Sequence, residues 1–319
     1  MKVLVTGAGG QLGREFAENS AVRLSSGEFD IIPLGRKELD ITDIEAARST
    51  MKKYSPDAVI NCAAMTNVDM CETAPEKAYR INAEGARLIC TAAAEAGADF
   101  VQLSTDFVFD GKGTSPYSEE DSCSPINIYG RSKLMSEEYV RSITHKHYIV
   151  RTSWLYGRYG SNFVTAIQNK ARRDGSLKVV SDQTGCPTCT EELMRYILLL
   201  IKSGRYGTYH VSGKGCCTKY EFACHIVSQA GIEARYPPAL PQIIPAPQHV
   251  PHIPCWTYQK QKKSRDFRHP TGRPFLTITT EYKEGKEYDH YRNRRSRLYR
   301  LQLHFPYAEK ISRLQDNLP

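Results

Sequence analysis

A chain of 319 residues, 40% of them hydrophobic and 24% charged, is long enough to bury a sizeable core. No apolar run is long enough to cross a bilayer, the opening Met1–Gly7 lacks the layout of a cleavable signal, and ten scattered cysteines suit a reducing cytoplasm. The net charge of +8 invites a nucleic-acid partner, but its placement argues against one: 15 of the 43 Lys and Arg and 7 of the 35 acidic residues follow Arg235, leaving 28 of each sign in a neutral body.

In chain order, Lys2–Thr6 reads as a short apolar strand, followed by Gly7-Ala8-Gly9-Gly10-Gln11-Leu12-Gly13 and a helical pattern from Arg14. Strand, glycine turn and helix together form a dinucleotide fingerprint. Gly7 permits the tight turn, Gly10 lets the backbone approach a pyrophosphate, and Gly13 lets helix and strand pack closely. The unpaired N–H groups of the helix start then meet the phosphates. A second strand, Asp30–Leu34, ends at Gly35-Arg36. NAD sites commonly carry an acid there for the ribose 2′-hydroxyl. The guanidinium of Arg36 suits a 2′-phosphate instead and predicts NADPH, with NADH left open; a solvated loop arginine is the plain alternative.

Asp40-Ile41-Thr42-Asp43 is expected to cap the next helix and border the adenine. The strand Ala58–Cys62 leads into Ala63-Ala64-Met65-Thr66, whose small residues would let a cofactor lie across the strand ends. Ala83–Ala96 reads as a packed helix, and the strand Phe100–Leu103 delivers Ser104-Thr105-Asp106 to the carboxyl edge of the sheet, where open α/β sheets bind ligands. This alternation predicts an α/β fold with a Rossmann-like, doubly wound parallel sheet.

Further on, Tyr129 and Lys133 stand four apart and share one helix face. The Lys133 ammonium is expected to favour the phenolate and lower its pKa from about 10. Tyr129 would then donate a proton to a carbonyl near neutral pH, with the Thr105 hydroxyl holding the carbonyl oxygen. Tyr258/Lys262 and Tyr282/Lys286 share the spacing, so the pair gains weight only from its company; a solvated helix face is the alternative. Cys186-Pro187-Thr188-Cys189 has redox or zinc spacing, but no second pair at finger spacing accompanies it, and no metal site is assigned.

These stretches, with Arg151-Thr152-Ser153-Trp154-Leu155-Tyr156-Gly157 and Asp182-Gln183-Thr184-Gly185, resemble the extended short-chain dehydrogenases, and within them the dTDP-4-dehydrorhamnose reductase family, over residues 1–235. The resemblance implies NADPH-dependent reduction of dTDP-4-dehydro-6-deoxy-L-mannose to dTDP-L-rhamnose in the cytoplasm, for cell-surface polysaccharide synthesis. It implies a triad of Thr105, Tyr129 and Lys133. It implies a cofactor site of Gly7, Gly10, Gln11, Leu12, Gly13, Arg36, Asp40, Ile41, Ala63 and Ala64, with Tyr129 and Lys133 reaching it. Thr105, Trp154 and Asn162 would meet the dTDP-linked 4-ketosugar. The nucleotide-binding core is expected over about residues 1–155, later segments serving the substrate side, and a homodimer is compatible with the pattern. A non-catalytic NADP-binding subunit of the same fold is the rival reading, against which an intact triad argues.

After Arg235 the character changes. Seven prolines fall between Pro237 and Pro254, and Lys, Arg and Tyr then mix without period. A basic linker and tail is the plain account. Back-translation offers a sharper one. Codons built from the third base of one written codon and the first two of the next permit A-R-P-A-Y-S-V-L-D-L-S-K over Gln248–Lys260, which resembles the family's usual C-terminal segment. In that frame Tyr282/Lys283 permits a stop. Lys283-Glu284-Gly285 then permits a ribosome-binding sequence. From Tyr288/Asp289 the remaining frame permits M-T-I-I-V-T-G-A-A-G-F-I-G-S-N-F, like the start of a second nucleotide-sugar enzyme. Residues 236–319 are therefore expected to be an out-of-frame tail with no folded domain, which would leave a small, incomplete substrate lobe.

Overall fold

The computed structural model describes residues 1–19, 21–24, 27–235 and 238–239; the tail from 236, with its Tyr/Lys pairs, thus lies almost wholly outside the described residues. The first half runs β1 (Lys2–Thr6), α1 (Gln11–Glu18), β2 (Ala21–Leu24), β3 (Gly27–Leu34), α2 (Ile44–Tyr54), β4 (Ala58–Asn61), α3 (Val68–Thr73), α4 (Pro75–Tyr79), a π-helical turn at Arg80–Gly85, α5 (Ala86–Glu95) and β5 (Asp99–Thr105). Then follow α6 (Ile128–Ile143), β6 (His147–Thr152), β7 (Leu155–Tyr156), α7 (Phe163–Asp174), β8 (Val179–Val180), β9 (Thr184–Gly185), β10 (Thr188–Cys189), α8 (Thr190–Ser203), β11 (Gly207–His210), β12 (Cys217–Thr218), α9 (Lys219–Gln229) and β13 (Pro238–Ala239).

The main sheet has seven strands in the order β11-β6-β5-β4-β1-β3-β2, all parallel except β2, which pairs antiparallel with β3 at the edge. Alternate residues of its strands feed two cores, as a pleated strand covered on both faces requires. Val3, Val5, Ile60 and Val150 pack with Leu12 and Phe16 of α1 and Leu193, Ile197 and Ile201 of α8. Leu4, Val59, Phe100 and Ile149 pack on the other face with Met51 of α2, Ile89 of α5 and Val140 of α6. The expected doubly wound sheet is present. Its outermost parallel strand, β11, and the covering helix α8 come from residues beyond 155. A third core, built from Tyr156, Val164, Ile167, Phe222 and Ile226, joins α7 to α9 beside the sheet's carboxyl edge.

Two polar devices fix that edge. Thr6 donates to Asn61 at 2.7 Å and Asn61 to Gln102 at 2.9 Å, a buried ladder across β1, β4 and β5 directly beneath the glycine turn. Glu137 of α6 is fully buried and accepts two hydrogen bonds from Arg151 of β6, at 2.9 and 2.7 Å, and one from Ser104 of β5. Such a bidentate pair, drawn out of water, tolerates little displacement. It holds α6 in fixed relation to Thr105.

Candidate active site

The glycine turn is built as its spacing requires. Gly7 adopts φ +67°, and a Cβ there would stand 2.7 Å from the Ala63 nitrogen. A Cβ on Gly13 would reach 2.2 Å from the Gly7 carbonyl oxygen, so helix and turn touch through glycine alone. Leu12 lies in the core and Gly13 against the turn, so both shape the loop and neither lines the space in front of it. That space is a cavity of about 620 Å³ bordered by Gly7, Gly9, Gly10, Arg36, Asp40, Ile41, Ala63 and Ala64. Gln11 presents a buried Oε1 without a protein partner, beside Gly160. Asp40 does not cap α2; Asp43 does, accepting from the Glu45 and Ala46 N–H groups. The Thr42 N–H and hydroxyl, followed by the nearby Arg36 and Arg80, hold the Asp40 carboxyl below the usual range. Arg36, 3.6 Å from Asp40, is joined at the rim by Lys77 and Arg80. The sequence reading missed these two cations, because a helix end and a π-helical turn carry no motif.

Thr105 ends β5. Its hydroxyl donates to Asp106 at 2.9 Å and accepts from the Phe107 N–H at 3.2 Å. Tyr129 and Lys133 share a face of α6, whose start Asn127 caps through the Gly130 N–H at 2.7 Å. Gly130 is obligatory: a Cβ would stand 2.1 Å from the Phe107 carbonyl oxygen, so only glycine lets this helix lie on the loop after β5. Phe107 meets the Tyr129 ring edge-on at 5.6 Å. Thr105 and the Tyr129 phenol thus meet at this edge, with Lys133 one turn further along α6.

Its electrostatics differ from expectation. Burial raises the Tyr129 phenol above its ordinary value, hydrogen bonding with Thr105 pulls it down, and the Asp106 carboxylate pushes it up again. Lys133 does not depress it. Burial brings the Lys133 ammonium itself down to about 8, and its field falls on Glu137 and Cys62. Desolvation therefore outweighs the pairing that the four-residue spacing suggested. The outcome is a phenol held protonated at neutral pH, which is the form a proton donor needs. Asp106, buried with 2% exposure, is pushed up to about 6 by burial against the pull of Thr105 and Lys219.

On the opposite side Trp154 is half-buried in a left-handed backbone, φ +42°, with Gly185 pressed against the indole: a Cβ there would lie 2.3 Å from Cε2. This gives Gly185 of the Asp182–Gly185 stretch a packing role. Asn162, expected to meet substrate, is committed to the fold. Its Oδ1 caps α7 through the Thr165 N–H at 3.1 Å and its amide donates to the Gly157 carbonyl at 3.0 Å. Cys186 packs with Val108 and Phe109, and no cluster of three metal-ligating side chains occurs among the described residues. No described helix is long and apolar enough to cross a membrane.

Known proteins are similar to this chain over most of its length. The family model described as RmlD substrate binding domain matches residues 1–273, running past Arg235 where the sequence motifs end. The spore coat polysaccharide biosynthesis protein SpsK of Bacillus subtilis is 45% identical over 232 residues, covering 73% of this chain and 80% of its own. The dTDP-4-dehydrorhamnose reductase of Salmonella typhimurium is 35% identical over 239 residues, 72% of this chain and 78% of its own. A crystal structure of dTDP-4-dehydrorhamnose reductase from Bacillus anthracis in complex with NADP superposes with a TM-score of 0.75 at 40% identity, covering 80% of this chain and 90% of that one. With a family model over most of its length and relatives at 35–45% identity, the chain belongs to the RmlD substrate binding domain family.

Proposed function

We propose that this chain is an NADPH-dependent oxidoreductase that reduces the 4-keto group of dTDP-4-dehydro-6-deoxy-L-mannose to give dTDP-L-rhamnose. The observation that carries the reading is the placement of the Tyr129 phenol beside Thr105, at the strand edge that also bears the glycine turn. The residues fit the cofactor: an open turn, an orphaned Gln11 oxygen, and Arg36, Lys77 and Arg80 where a 2′-phosphate needs cations. Bound there, the reduced nicotinamide supplies the hydride. Tyr129 gives its proton to the ketone oxygen as charge develops on it. Asp106 fixes the Thr105 hydroxyl by accepting its one hydrogen, so Thr105 positions the Tyr129 phenol and does not itself donate to the ketone oxygen. Lys133 would hold the ribose hydroxyls of a bound nicotinamide and keep positive charge beside them. The test is loss of reduced-nicotinamide absorbance on adding the dTDP-ketosugar to purified chain. Oxidation of NADPH only with a non-nucleotide ketone would overturn the substrate assignment.

Two smaller predictions follow from the same geometry. Arg36→Ala should raise KM for NADPH about tenfold and leave that for NADH nearly unchanged, as expected for one charge-assisted contact to phosphate. Initial rates with both nicotinamides check it. The pH profile of kcat should be bell-shaped. Its acid limb, near 6, is Asp106 taking up a proton and loosening its hold on Thr105; its alkaline limb, near 8, is Lys133 losing its charge. Lys133→Arg, which stays charged, should remove the alkaline limb.

We infer separately that residues 236–319 are read out of frame. The ordered sequence of family-like segment, stop, ribosome-binding sequence and new start in the shifted frames supports this. So do the pairwise alignments to SpsK and the Salmonella enzyme, which span 232 and 239 residues and leave about a fifth of each relative unmatched. Resequencing the locus tests it: the written frame confirmed in independent reads would overturn it.

A further inference from the structure

Lys219 opens α9, at the end of a helix where the backbone already presents positive charge and a cation is disfavoured. Its ammonium is not turned out to water. It lies 4.3 Å from the centroid of the Trp154 ring and 4.8 Å from that of Phe163, and burial drives its pKa down. Facing it is the buried Asp106 carboxylate, close enough that each charge shifts the other, yet the two form no ion pair within 4.0 Å among the described residues. No described oxygen accepts a hydrogen bond from Nζ. Its N–H donors thus meet the Trp154 and Phe163 rings, with no described oxygen within hydrogen-bond reach of Nζ.

A cation held over two aromatic rings is stabilised modestly, by about 0.5–2 kcal/mol, and keeps its donors free for an oxygen acceptor. An indole, a cation on its face and a carboxylate within that cation's field form a set of groups that suits a polyhydroxylated ring with one apolar face. Discrimination among sugars has to come from this side of the molecule. Relatives that share the fold carry names for different dTDP-ketosugars, among them a dTDP-4-keto-6-deoxy-D-glucose reductase from Streptomyces niveus.

Resting on the function proposed above, we propose that Lys219 is a specificity-determining residue that donates a hydrogen bond to a hydroxyl of the sugar ring across the Trp154 face. It reads the sugar and not the nucleotide. Breaking a hydrogen bond to a charged group leaves the ammonium without an acceptor, so its loss should be felt in sugar binding more than in chemistry.

The test uses the full chain loaded with NADP⁺ and two probes, dTDP and dTDP-L-rhamnose, titrated by calorimetry. Lys219→Met should weaken dTDP-L-rhamnose about tenfold and leave dTDP unchanged, while Lys219→Arg recovers most of the loss. In turnover, KM for the ketosugar should rise about tenfold with kcat within about twofold. Equal weakening of both probes would assign Lys219 to the nucleotide and overturn the proposal, as would unchanged binding of dTDP-L-rhamnose. The thermal midpoint of Lys219→Met should not fall, since the substitution relieves a cation at a helix start; a large fall with both affinities lost would mark Lys219 as structural and sink the idea. If the unaltered chain binds dTDP-L-rhamnose but reduces no ketosugar, the reductase reading fails and the Lys219 comparison still stands or falls by calorimetry. Binding of neither probe would remove both.

Discussion

Tyr129→Phe is expected to bind NADPH as the unaltered chain does and to lose turnover by about a thousandfold, within the 10²–10⁴ range for removal of a general acid. The substitution keeps the ring, and with it the edge-on contact to Phe107, so folding should be unaffected. Only the hydroxyl goes. The carboxyl-edge geometry, the cofactor cavity and the Lys133 ammonium all remain, which confines the loss to kcat. Because burial holds the phenol protonated, no rise in pH below 8 should mimic the variant. Steady-state rates beside a fluorescence titration of NADPH separate the two effects. A kcat within tenfold of the unaltered chain would remove Tyr129 as the proton donor.

Restoring the reading frame after Arg235 should raise kcat/KM for the dTDP-ketosugar by roughly a hundredfold and leave NADPH affinity within about twofold. The asymmetry follows from where the parts lie. The glycine turn, Arg36, Asp40 and the triad all precede the break and sit on the seven-stranded sheet, whose cores are complete among the described residues. The α7–α9 core packs beside Trp154, the side that the proposed function gives to the substrate. In the resemblance drawn from the sequence, that lobe is finished by a C-terminal segment like the one the shifted frame encodes. Losing part of the sugar-side wall costs transition-state binding on that side only. The thermal midpoint should rise too, because apolar surface left without its partner segment is covered again. Equal kcat/KM for the two forms would show that the written C-terminus serves the reaction as well as the shifted one.

Features written as local spacing survive into the structure. Gly7 and Gly13 were legible because a tight turn and a close helix approach admit nothing else; Gly10 keeps an ordinary φ of −80°, and a Cβ there would stand 3.3 Å from the Gly7 carbonyl oxygen. Thr105, Tyr129 and Lys133 were legible because strand ends and four-residue helical spacing place side chains predictably. What depends on surroundings was not. The proton affinity of Tyr129 follows from water removed by residues distant in sequence, so its direction was misjudged from Lys133 alone. Asn162 offers the same carboxamide to a ligand or to a helix start, and only the Thr165 N–H and the Gly157 carbonyl reveal which. The obligatory contact of Gly130 with Phe107 joins residues 23 apart, and the place of β11 beside β6 joins segments about 60 apart. No window of sequence displays either. β2 was missed because a four-residue edge strand carries too little pattern to register.

The most direct measurement is isotopic. Purified chain is incubated with the dTDP-4-ketosugar and NADPH deuterated at the transferable position, and the nucleotide-sugar product is weighed by mass spectrometry and located by NMR. One deuterium at C4 of a dTDP-6-deoxyhexose, absent when Tyr129→Phe replaces the unaltered chain, is the predicted result. Unlabelled product, or no product while NADPH is bound, would contradict it.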